Sequence, residues 1–101
     1  MIVYNITTKV STAIHEAWLE WMTEEHIPEI LATGCFTDAS ILQLLEIDDS
    51  EGPTFAVQLK ADSKALYNRY VEQFAPELKQ KSFAKWGDQF ISFRSVMKVV
   101  N

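Results

Sequence analysis

The residues best equipped for chemistry crowd one stretch, WLEWMTEEHIPEILATGCF, from Trp18 to Phe36. It holds two tryptophans, a methionine, a histidine flanked by carboxylates and the one cysteine of the chain. On a helix turning about 100° per residue from Trp18, an arc of about 160° collects Trp21, Ile14, Met22, His15, Leu19 and His26. Glu16, Glu20, Thr23 and Glu24 take the opposite side. Glu25 breaks the segregation, falling inside the apolar arc in the last turn beside His26. Histidine titrates near neutrality and an adjacent carboxylate raises its pKa, so His26 could act as a general base or hydrogen-bond donor at the mouth of a cleft. It could equally cap backbone carbonyls where the helix breaks, or pair with Glu25 or Glu29. His26 and Glu25 are therefore the catalytic candidates.

Trp18, Trp21 and Met22, with Tyr70 from a later helix, are the ligand-binding candidates. Two neighbouring indoles can wall an apolar pocket and orient a ligand through their N–H groups. The competing reading is core packing, where truncating a buried tryptophan costs about 3–5 kcal/mol. Cys35 follows Gly34 into a strand, the usual place of an inert apolar filler; as a nucleophile it would have only His26 as a base. His15-Glu16-Ala17-Trp18-Leu19 starts like the zinc-protease H-E-x-x-H but ends in leucine. The two histidines stand eleven residues apart, and the three glycines all fall at turns rather than in a phosphate-binding loop. No metal site and no cofactor are expected.

Composition narrows the setting. A length of 101 residues suits one domain, 1–101, around one core. The net charge is −5 and the nine basic residues are scattered, whereas a nucleic-acid partner needs a concentrated basic face. No apolar run approaches the roughly 18 residues of a membrane span, and MIVYNITTKV lacks the pattern of a secretory signal. A single cysteine permits no intrachain disulfide, which makes a reducing cytoplasm the simplest address.

The elements that must position these residues follow from periodicity. Residues 2–10 alternate as a first strand, and Ser11 or Thr12 caps the helix bearing the tryptophans. Pro28 should break or kink that helix at Ile27 and open a second short turn, which Gly34 ends. Residues 35–47 read as a strand with apolar residues on both parities, DDSEGP as a turn, and TFAVQLK as its hairpin partner. Asp62 or Ser63 caps a helix with Leu66, Tyr67, Tyr70, Val71 and Phe74 on one face. Pro76 starts a further helical piece reaching Trp86-Gly87. In the last strand Ile91, Phe93, Met97 and Val99 share one face, while Phe90, Ser92, Arg94 and Val96 share the other.

The order βαββαβ is the ferredoxin-like split unit, an α+β fold with a four-stranded antiparallel sheet and helices on one face. The open face would carry Val3, Leu42, Leu44, Ala56, Phe90 and Val96 beside Asn5, Ser40, Gln58 and Arg94. A second copy is the simplest cover for so apolar a face, giving a homodimer packed sheet to sheet. Arg94 is expected on that face, paired with Asp38 or a partner-chain carboxylate, the alternative being an anionic ligand.

MIVYNIT, the run W-x-x-W-M-x-x-E-H-I-P-E-I-L-A-T-G-C-F and G-D-Q-F-I-S-F-R-S from Gly87 span almost the whole chain. Together they resemble a family of short bacterial proteins known as a domain of unknown function. That family looks like a member of the dimeric α/β-barrel superfamily, which also holds antibiotic-biosynthesis monooxygenases and haem-degrading enzymes. The resemblance implies the fold, a dimer and a site between helices and sheet, and implies no reaction. Haem degraders of the superfamily use an asparagine, a tryptophan and a histidine on the later helical part. This sequence has Asn5, but no histidine follows His26.

The expectation is a dimeric α/β-barrel protein that binds a small, largely apolar molecule, with proton transfer by His26 or cofactor-free oxidation as the chemistry if it is an enzyme. The rival expectation is a non-enzymatic dimerisation or regulatory module whose aromatic residues are all core.

Overall fold

The computed structural model describes residues 1–101. Strand β1 (Ile2–Val10) leads into α1 (His15–Trp21), a π-helical turn (Met22–His26) and α2 (Ile27–Ala32). Strands β2 (Asp38–Gln43) and β3 (Thr54–Ala61) form the hairpin, followed by α3 (Lys64–Gln73), α4 (Ala75–Trp86) and β4 (Phe90–Lys98). The sheet order is β2-β3-β1-β4 with every neighbouring pair antiparallel, which interleaves two βαβ crossovers in the ferredoxin-like manner. No helix is long and apolar enough to cross a membrane.

The sheet's inner face supplies half of the core. On β3, Phe55, Val57, Leu59 and Ala61 are buried in strict alternation, and on β1 Tyr4, Thr8 and Val10 are buried. One end of the core joins Tyr4, Ile30, Cys35, Phe36, Tyr70 and Leu78, the other Val10, Trp18, Met22, Phe55 and Val57. Ser63 caps α3 as expected, its hydroxyl accepting the Leu66 N–H at 3.2 Å. α1 has no side-chain cap: Ser11 Oγ accepts the Ala13 N–H instead, in the turn that precedes it.

Two local expectations are corrected. The helix does not break at Ile27; it widens into a π turn and continues, the Ile27 N–H donating to the Met22 carbonyl. Pro28 explains this, since it has no N–H to offer and its ring would clash with the Glu24 carbonyl in ordinary α geometry. The wider turn removes both conflicts. Strand β2 ends at Gln43 rather than near Ile47, and Glu46 adopts φ 58, so the connection begins earlier than DDSEGP. That connection is pinned to the end of β1 by the Val10 N–H donating to Pro53 O at 2.9 Å. Gly52 (φ 140) passes so close that a Cβ there would lie 1.9 Å from the Val10 carbonyl oxygen.

The parity of β4 is also corrected. Directly opposed residues of an antiparallel pair share a face. Tyr4, Ile6, Thr8 and Val10 oppose Val96, Arg94, Ser92 and Phe90, so these four turn toward the helices. Ile91, Phe93 and Met97 oppose Lys9, Thr7 and Val3 on the open face, where Phe93 is 68% exposed. The open face is mixed: Ile91, Phe93 and Met97 of β4, not the residues expected, give it an apolar edge, while Asn5, Thr7, Lys9, Gln58 and Lys60 make its middle largely polar. Asn5 lies on it, bonded to Thr7 and Gln58 and turned away from the helices.

Candidate functional site

Helices and sheet do not close completely over the inner face. A half-open cavity of about 80 Å³ remains between β1, β3 and β4 on one side and the helices on the other. Trp18, Met22, Ile30, Tyr70 and Leu78 supply buried apolar wall. Thr8, Ser82, Ser92, Lys79 and Arg94 supply polar groups. Lys79 and Arg94 are exposed while the apolar wall is buried, so the two cations mark the mouth.

Trp18 enters the cavity wall with its other side stacked on Phe55, ring centres 5.4 Å apart. Tyr70 lies edge-on to Phe36 at 4.8 Å, and burial, then the neighbouring Tyr4, pushes its hydroxyl above the usual phenol range. Both tyrosines therefore stay neutral hydrogen-bonding groups at physiological pH, since burial also raises Tyr4.

His26 lines the cavity from the π turn. At a uniform 100° per residue it would sit about 80° from Trp18. Four steps of about 80° through the wider turn bring it back almost over Trp18. The same rotation carries Glu25 to the edge of the apolar arc, and Glu25 is exposed and outside the cavity. Its expected inward orientation is thus corrected. Trp21 is corrected too: it does not line the cavity but stacks on the His26 ring at 4.4 Å and meets Trp86 edge-on at 5.9 Å. It sets the pose of the histidine.

Burial lowers the His26 pKa to about 4, against a smaller raising effect of Glu29 and a further lowering by Lys81. A carboxylate does raise it, as expected, but it is Glu29 and its effect is outweighed by desolvation, with Lys81, 2.9 Å from Glu29, lowering the pKa further. His26 is therefore a neutral imidazole at pH 7, and its Nδ1 is buried with no hydrogen-bond partner in the protein. A group so acidic is a weak general base at neutral pH, but a good acceptor or donor for a ligand.

Arg94 moves from the expected dimer face into this site. Its guanidinium lies beside the Tyr4 hydroxyl, and its charge is felt at Tyr70 and Lys79. Sequence alone could not place it, because β4 carries apolar residues on both parities; the signal was in its pairing partner, the regularly alternating β1. Cys35 is fully buried in the core, and His15 bonds the Thr12 carbonyl away from the cavity. No three His, Cys, Asp or Glu side chains stand close enough to hold a metal ion together.

Comparison with known proteins agrees with this frame. The model of a family described as Domain of unknown function (DUF4286) matches residues 1–100. An ethyl tert-butyl ether D (EthD) family protein from Bacillus halodurans C-125 superposes with TM-score 0.65 at 12% identity, covering 99% of this chain and 100% of that one. A protein provisionally assigned as an antibiotic biosynthesis monooxygenase, from Deinococcus radiodurans, gives TM-score 0.60 at 14% identity over 100% of this chain and 94% of its own. At these identities the likeness is one of fold. No curated protein matches by sequence.

Proposed function

Because the chain belongs to the DUF4286 domain family, with the ferredoxin-like fold described above, we propose that it binds a small, largely apolar molecule in the cavity between helices and sheet. The observation that carries this reading is the half-open cavity itself, walled by the buried Trp18, Met22 and Tyr70 and lined also by His26. His26 also carries a buried Nδ1 with no partner in the protein, a cost of about 1–3 kcal/mol that an occupant able to shift the ring would recover. Trp18, Met22 and Tyr70 form the apolar enclosure, and His26 is the polar group that orients the occupant. Trp21 supports His26 from behind. Glu25 has no part in this arrangement.

The same proposal includes a homodimer through the open sheet face. Its support is the exposed apolar side chains Ile91, Phe93 and Met97 along β4 and Leu42 on β2, all more than 40% exposed, on the two edge strands of a sheet whose other face the helices cover. A two-fold axis would let one such patch cover its own copy.

The binding reading is tested by titrating small aromatic and branched aliphatic compounds, neutral and acidic, into the protein while following amide NMR shifts and thermal stability. Shifts centred on Trp18, Met22, His26 and Tyr70 are the expected result, reduced in His26→Phe. If no compound perturbs these residues at millimolar concentration, the cavity is only a packing defect and the rival module reading prevails.

A further inference from the structure

Three of the nine cations pair with a carboxylate: Lys9 with Glu51, Lys60 with Asp38 and Lys81 with Glu29. Acidic residues outnumber basic ones fourteen to nine, so partners are plentiful. Arg94 and Lys79 are among the six without one, and they are the two cations that β4 and α4 bring to the lining of the cavity. Like charges lining one cavity raise each other's electrostatic cost, and Lys79 is held below the usual lysine range by partial desolvation and then by Arg94. Around them stand neutral hydroxyls: Tyr4, Ser82 and Ser92, the last hydrogen-bonded to Thr8 at 3.0 Å.

Resting on the binding reading above, we infer that the occupant is a short apolar carboxylic acid, its carboxylate held by Arg94 and Lys79 at the mouth and its apolar body against Trp18 and Met22. Arginine offers a planar fork that matches a carboxylate in two parallel hydrogen bonds, and lysine adds a point charge. Size sets the other limit. An engineered apolar cavity of about 150 Å³ accepts benzene, so the 80 Å³ here admits a branched aliphatic chain or part of a ring. The polar end must then stay at the mouth, where the cations are. His26, neutral and facing the same cavity, is left to bond a hydroxyl or carbonyl on the body.

The test compares isovalerate and benzoate with isovaleramide and benzamide, which keep shape and lose the charge. Dissociation constants are read by amide NMR shifts on the wild type, Arg94→Gln and Lys79→Gln, with melting curves confirming that each variant is folded. The acids are expected to bind at least about 10-fold more tightly than the amides, the scale of a charge-assisted bond. Arg94→Gln should erase that preference, bringing acid binding down to the level of the amide in the same variant, and Lys79→Gln should reduce it. Equal binding of acid and amide, or unchanged acid binding in both variants, overturns the inference and leaves the binding reading standing. Inorganic phosphate displacing isovalerate at equal concentration also overturns it, since the site would then read charge alone. Absence of binding by all four compounds removes both.

Discussion

Protonation of His26 should be the clearest energetic event in this domain between pH 7 and pH 5. Burial holds the folded-state pKa at about 4, against 6.5 for an exposed imidazole. Between those values the unfolded chain binds a proton that the native state refuses, so stability rises with pH. The contribution is complete above about pH 6.5 and lost as pH falls toward 4. At 1.36 kcal/mol per pH unit the whole span is about 3 kcal/mol, of which about 2 kcal/mol is gone by pH 5. Against a total of about 5–15 kcal/mol that is a large fraction. His26→Phe keeps a flat ring on Trp21, cannot take up a proton and removes the unpartnered Nδ1. Urea unfolding followed by tryptophan fluorescence at pH 7 and pH 5 isolates the effect, because every carboxylate titrates in both proteins. The variant should gain about 2 kcal/mol on the wild type between the two pH values, a relative midpoint shift of about 1 M or more for a domain of this size. Glu29 and Lys81 are the charged groups nearest the ring, and their pair is the same in both proteins. If wild type and variant lose the same stability on acidification, desolvation does not govern His26 and the assignment of a neutral imidazole fails.

Three further outcomes follow from other parts of the molecule. Trp18→Ala, which empties a side chain only 2% exposed, should cost about 3–5 kcal/mol and lower the melting temperature by more than about 10 °C in a thermal scan. Phe93→Asp puts a charge on the most exposed apolar residue of strand β4 on the open face, and light scattering should find it a monomer where the wild type has twice the chain mass; a monomeric wild type at micromolar concentration would refute the dimer. Gly52→Ala should destabilise by more than about 1 kcal/mol in urea titration, since the backbone there is at φ 140 and the new Cβ meets the Val10 carbonyl; a neutral result would mean that the 44–53 connection is free to move off β1.

The sequence determined the order and type of the elements because each carries its own local signal. Alternation marks β1 and β3, Ser63 marks the start of α3, and Gly87 marks the end of α4. The aromatic stripe of Trp18 and Met22 was legible as an inward face for the same reason: helical spacing is a local property. What periodicity could not carry was any residue whose direction depends on another element. Pro28 announced an irregularity, but whether the helix broke or widened was decided by the continuation of α2 onto the same sheet, and that choice turned His26 inward and Glu25 outward. β4, apolar on both parities, took its facing from hydrogen-bonded register with β1. Arg94 thereby left the open face for the cavity and joined Lys79 from α4, two residues far apart in the chain that only the closed sheet brings to one mouth. The polar end of the site is tertiary in origin, because a charge acquires its neighbours from packing rather than from spacing.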